Sequence, residues 1–220
     1  MVRKKRPGGP GPKPRRSVPP AGKEQLSAPT VAASVQRPSV RSPQGEARQD
    51  TPRAKAQALL RRAFGEDDLD RRVELAKQAL DACPDCADAY VLLAEQAPRR
   101  KEALALYEQG AAAGERALGE QTFRDEAGRF WGLLHTRPYM RARLGLAHAL
   151  WTAGRRDEAV GHARELLRLN PGDNQGVRYT LAAWLLALDR DDELAGLLEQ
   201  YPDEGTAAWA YNRALLAFRS

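Results

Sequence analysis

Residues 140–173 read MRARLGLAHALWTAGRRDEAVGHARELLRLNPGD. An apolar-periodic segment, a glycine, a second periodic segment and a closing proline follow one another without interruption. Ala147 and Leu150 stand three apart, as neighbours on one helix face do. Gly154 supplies the turn, Ala159 and Ala163 stand four apart on the second helix, and Pro171 ends it. A helix pair of 34 residues cannot bury its apolar face alone, so it must stack on neighbours. The spacing predicts an all-α chain made of stacked helix pairs.

Copies of the unit lie on both sides. Thirty-five residues on, Ala182, Leu185 and Leu194 correspond to Ala147, Leu150 and Ala159. Asp189 stands where the turn glycine was, so a turn different in detail is expected there. Upstream, ALDACPDC (79–86) aligns with LLRLNPGD (166–173), again with Pro at the exit. Unit length and punctuation resemble the tetratricopeptide repeat, which implies a right-handed helical-repeat solenoid whose concave face holds another polypeptide.

The remaining helices follow from the same periodicity. Residues 53–64 form a short basic helix, and Asp67 or Asp68 caps the next one, at 69–82. A helix with Tyr90, Leu92 and Leu93 stops near Pro98, its partner spans about 99–113, and another covers about 119–130. No run shows period-two alternation with β-branched enrichment, so no strand is expected. Residues 206–219 make a last helix without the partner that earlier ones have. The expectation is a domain at 53–220 cut from a longer protein and lacking its final helix, with self-association through 206–219 as the alternative.

Residues 1–52 differ in kind. The first 50 carry 11 Lys and Arg against 3 Asp and Glu, and 10 of the 15 prolines lie at or before Pro52. No aromatic residue precedes Phe64. So few apolar groups cannot offset the entropy of ordering the chain, and a disordered basic tail is expected. The formal charge of +6 belongs to this tail, because residues 51–220 carry 24 basic and 26 acidic residues. The basic balance is thus no sign of a folded nucleic-acid-binding domain. The sequence has neither a secretory apolar core nor about 20 consecutive apolar residues, which excludes a membrane reading and leaves a cytoplasmic expectation. The preponderance of Arg over Lys suits a GC-rich bacterial source.

Longer strings carry a closer resemblance. CPDCADAYVLLAEQA (83–97), YEQGAAAGERALG (107–119), FWGLLHTRPYMRARLGLA (130–147), LNPGDNQGVRYTLAAWLL (169–186) and AWAYNRALLAFR (208–219) are similar to bacterial members of the suppressor of tumorigenicity protein 7 family. The resemblance runs from about Phe64 to the last residue and implies an all-helical, tetratricopeptide-like fold. It implies no activity. Eukaryotic relatives are membrane proteins that bind a receptor tail, but their membrane segments have no counterpart here, so neither property carries over. His135 stands where the family pattern has an acidic residue.

Chemistry-bearing motifs are few. Cys83-Pro84-Asp85-Cys86 has C-x-x-C spacing, but a structural zinc needs four ligands and there is no second pair. Cys83 ends a helix, the wrong end to stabilise a thiolate, which leaves Cys86 as the more reactive of two weak metal or redox candidates. His135, His148 and His162 accompany no nucleophile elbow or H-E-x-x-H helix, and Gly110 and Gly114 lack phosphate-loop context. The reading includes no catalytic residue and no cofactor.

The candidate partner site is a groove. Arg137, Tyr139 and Arg141 open the first helix of the clear unit, with Leu144, His148 and Trp151 in line beyond, and Arg178 and Tyr179 follow in the next copy. Arginines and aromatics so placed suit an acidic or C-terminal peptide. The competing reading makes the aromatics inter-repeat packing and the arginines a solvated face, and on composition alone it is the more economical. Asn174, Gln175 and Tyr179 read partly as cap residues and partly as groove groups. The expected function is a non-catalytic scaffold or adaptor for a protein or peptide. The alternatives are a nucleic-acid-associated protein anchored by its tail, through Arg3–Arg6 and Lys13, Arg15 and Arg16, and a C-x-x-C redox or metal protein.

Overall fold

The computed structural model describes residues 51–219, and among these every regular element is helical. The helices are α1 (Pro52–Phe64), α2 (Leu69–Ala82), α3 (Ala87–Glu95), α4 (Arg100–Asp125), α5 (Arg137–Thr152), α6 (Arg156–Leu169), α7 (Val177–Ala187), α8 (Asp191–Gln200) and α9 (Ala207–Arg219). The expected disordered tail, 1–52, and its basic clusters lie outside the described residues as far as 50; its last two residues are corrected, because Thr51 caps α1 and Pro52 opens it. None of the described helices is long and apolar enough to cross a membrane.

Each helix packs on its chain neighbours, and α3 also touches α5 as α7 touches α9. Side-chain caps start the first two. Thr51 Oγ1 accepts from Ala54 N at 3.2 Å, and Asp68 Oδ1 accepts from Arg71 N at 2.9 Å, satisfying amides that have no partner inside the helix. The contact surface of α1, α2 and α3 is made largely of small residues, among them Ala56, Ala63, Ala76, Ala79 and Ala89, which lets the helix axes approach. From α4 onward the core is larger-grained, with Phe130, Met140, Leu150, Leu166, Leu181, Leu194 and Trp209 fully buried. Each such side chain contributes about 1.5–3 kcal/mol on burial.

The turns repeat. In X-Pro-x-x segments after α2, α6 and α8, the fourth amide donates to the first carbonyl: Cys86 to Cys83 at 3.2 Å, Asp173 to Asn170 at 2.9 Å, Glu204 to Tyr201 at 3.4 Å. Between the paired helices, Arg155 N donates to Leu150 O and Arg190 N to Leu185 O, both at 3.0 Å. The residue before each of these arginines has positive φ, 83° at Gly154 and 53° at Asp189. The expected difference at Asp189 is therefore corrected: aspartate takes the same left-handed backbone, which a short polar side chain tolerates better than most.

A further correction concerns α4. The two helices expected at 99–113 and 119–130 meet at a kink at Gly119 (φ 69°, ψ 157°), and the second ends at Asp125 instead of running on to 130. Gly110 and Gly114 earlier in α4 are contact points. A Cβ at Gly110 would lie 2.9 Å from Tyr90 Cβ, and one at Gly114 would lie 2.9 Å from Tyr139 Cβ, so α3 and α5 both approach α4 through the missing side chains. A single 3-10 turn, Phe130–Gly132, then buries Phe130 beside Phe123 and Tyr139, with ring centroids at 5.2 and 6.3 Å. Thr136 Oγ1, fully buried, closes this connection by donating to the carbonyls of Phe130 and Leu133.

Candidate functional site

Asp88 lies in the first turn of α3, where a helix start favours a carboxylate, and it meets Arg141 from the first turn and a half of α5. Arg141 Nε donates to Oδ1 at 2.8 Å and Nη2 to Oδ2 at 2.7 Å, a bidentate fork. This pair borders two concavities. On one side is a depression of about 250 Å³, reaching Val91 and Glu95 of α3, Tyr107 of α4, Leu144 and His148 of α5, and Gln175 before α7. On the other is a cleft of about 380 Å³ against α1.

The depression brings together Arg141, Leu144 and His148, three of the eight groove candidates. Its floor depends on Gly145, because a Cβ there would overlap the Tyr107 ring. Burial raises the pKa of the Glu95 carboxyl despite Arg72, and raises the Tyr107 hydroxyl, with Glu95 adding to the latter. Gln175 donates from Nε2 to Met140 O at 3.3 Å, while its buried Oε1 has no partner among the described residues. His148 is exposed, with Nδ1 3.0 Å from Leu144 O and its ring edge-on to Trp184 at 5.5 Å. Trp151 continues this surface. Half-buried, it stacks on Trp184 at 4.7 Å and 7°, and Arg156 sits over its ring.

The other candidates lie elsewhere. Tyr139 is 1% exposed and packs into the α4–α5 contact, so it belongs to the core and offers no face to a partner. Burial pushes its hydroxyl up to about 12, against the pull of Arg143. Arg137 donates from Nε to Trp131 O at 2.9 Å and covers that ring. Arg178 and Tyr179 form a separate knot at the start of α7. Arg178 donates to Glu204 Oε2 from Nε (3.0 Å) and Nη2 (2.5 Å), and to Asp173 Oδ2 from Nη1 at 2.9 Å. Tyr179 OH donates to the same Glu204 oxygen at 2.7 Å, which with Arg178 holds the Glu204 carboxyl down at about 2.

A groove whose arginine forks await an acidic peptide is therefore corrected in its chemistry. Both forks are occupied, by Asp88 at 53 residues' separation and Glu204 at 26. Breaking a half-buried pair of the Arg141 kind costs on the order of 2 kcal/mol after allowance for its exposure. Asp173 is the residue the sequence reading missed. Its carboxylate accepts from Val177 N (2.7 Å) and Arg178 N (2.9 Å), and so takes the capping role that was one of two readings for Asn174, Gln175 and Tyr179.

Cys83 and Cys86 are free thiols in the first of the repeated X-Pro-x-x turns. Cys86 is buried among α1, α2 and α3, and burial, with Cys83 beside it, pushes its thiol up to about 12. The expectation that Cys86 is the more reactive thiol is thus corrected: helix position matters less than desolvation here. Among the described residues, no three His, Cys, Asp or Glu side chains are grouped to hold a metal ion. On α9, Trp209 is buried, whereas Tyr211 and Phe218 are exposed. No family model matches the chain.

Proposed function

We propose that the protein is a non-catalytic, cytoplasmic scaffold of tetratricopeptide-like build that holds a polypeptide partner on the face made by α3, α5 and α7. The recurrence of both turn types supports a solenoid reading, because equal turns on equal spacing make each helix pair stack like the last. The resemblance of residues 64–220 to bacterial members of the suppressor of tumorigenicity protein 7 family supports the same fold.

One observation carries the choice of face. The depression is lined by an exposed His148 and by Gln175, whose Oε1 has no partner among the described residues, and the half-exposed Trp151 stacks on Trp184 next to that histidine. Aromatic platforms beside polar groups are what polypeptide partners anchor on. The burial of Cys86 tells against the redox alternative. The test is affinity capture from the source cell with full-length protein, compared with Trp151→Ala and His148→Glu variants shown by circular dichroism to be folded. Loss of the same partner from both variants supports the reading. An unchanged set of captured proteins overturns it.

A further inference from the structure

The cleft on the α1 side of the Arg141–Asp88 pair has a different chemistry from the depression. Its volume is about 380 Å³, enough for a few side chains rather than a folded partner. Helix α1 presents Arg53, Gln57, Arg61 and Phe64 to it, a single stripe at helical spacing, with Leu60 beneath. The opposite wall is mainly aliphatic, built from Leu118 of α4 with Leu134 and Pro138 before and within α5, and the exposed His135 stands among them. Two apolar side chains stand at the mouth without cover, Phe64 at 52% exposure and Leu134 at 74%.

Charge decides what fits. The carboxylates at the cleft are already neutralised, Asp85 by Arg116 at 2.8 Å and Asp88 by Arg141 at 2.7 Å. Arg53 and Arg61 have no ion-pair partner among the described residues, and α1 contains no acidic residue at all. These two guanidiniums are eight positions apart, about 12 Å along the helix. An extended peptide covers that distance in about four residues, with side chains two apart on the same side. Two acidic side chains four apart would each meet an arginine, and a large apolar side chain midway would reach Leu60 and Leu118.

We propose that this cleft is a second binding site, for an extended acidic peptide segment with a large apolar residue between two carboxylates. Guanidinium–carboxylate forks supply the polar contacts and the aliphatic wall supplies the anchor.

The test is fluorescence anisotropy of the full chain with a fluorescein-labelled peptide, Ser-Glu-Gly-Leu-Gly-Glu-Ser, in low salt. Binding should weaken by about tenfold or more in Arg53→Glu/Arg61→Glu, and by a similar factor when Gln replaces both peptide glutamates. Leu134→Ser, an exposed position, should also weaken it while leaving the helical signal intact. No binding, or equal binding to the double variant or the Gln peptide, overturns the proposal. So does an oligothymidylate that binds as tightly and responds to the same variants. The assay needs no cellular partner, so its outcome stands apart from that of the capture experiment on the α3–α5–α7 face.

Discussion

Cys86 and Arg141 show how far a residue's role departs from its local spelling. The C-x-x-C spacing suggests reactive sulfur, yet Cys86 sits with Ala56, Leu60, Leu75 and Leu92 in a core that disfavours its thiolate. With the thiol pushed up to about 12, Cys86 stays protonated at a pH where an ordinary cysteine is partly thiolate. A Cys83→Ser variant should therefore react with Ellman's reagent only as fast as the fold opens; labelling as fast as free cysteine would contradict the burial. Arg141 was legible as an inward-facing arginine of the repeat. Its partner was not, because Asp88 is 53 residues away and nothing in the spacing of either links the two. The same holds for Arg178 and Glu204, and for that reason two of the eight groove candidates read as open forks when they are closed ones.

Among the elements, helix pairs and their turns were the most readable, since the signals act within a few residues. Gly154 and Asp189 make the same left-handed turn, and they predict opposite responses to substitution. Gly154→Ala should lower the unfolding free energy by about 1–2 kcal/mol, the cost of a Cβ in that conformation. Asp189→Gly should leave it unchanged or raise it by up to about 1 kcal/mol, because the exposed ion pair it gives up with Arg219 contributes little. Urea unfolding of both variants measures this, and a neutral Gly154→Ala would mean that the turn relaxes. Helix α4 was harder to read. The break between its two helical segments falls at Gly119, later than the end expected near 113, and the second segment stops at Asp125. Gly110 and Gly114 likewise carry no local signal of their use, because a close approach is defined by the helix that approaches.

At the scale of the whole molecule, the C-terminal end is tied down by charge as well as by packing. Glu204 receives Arg178, Tyr179 and the Thr206 amide, and Trp209 beside them donates its indole N–H to Tyr201 O at 3.2 Å. A carboxyl whose folded pKa is about 2 adds stability that is complete above its unfolded value near 4.3 and is lost as pH falls towards 2. Acid should then loosen α9 from α7 in that window. The Trp209 indole N–H resonance should shift between pH 4.3 and 2 in the wild type, while in Glu204→Gln the added acid sensitivity should vanish and the loosened state should already be present at neutral pH; identical titrations would remove Glu204 from the account. By itself the sequence determined that this chain is helical, where most of its helices begin and end, and that two of its units share one plan, because periodicity, caps and turn residues act over short stretches of backbone. Only the tertiary structure decided which arginines are paired and with what, which thiol is sealed and which aromatics stack. Those outcomes depend on side chains tens of residues apart being brought within a few ångströms, and no local pattern specifies that.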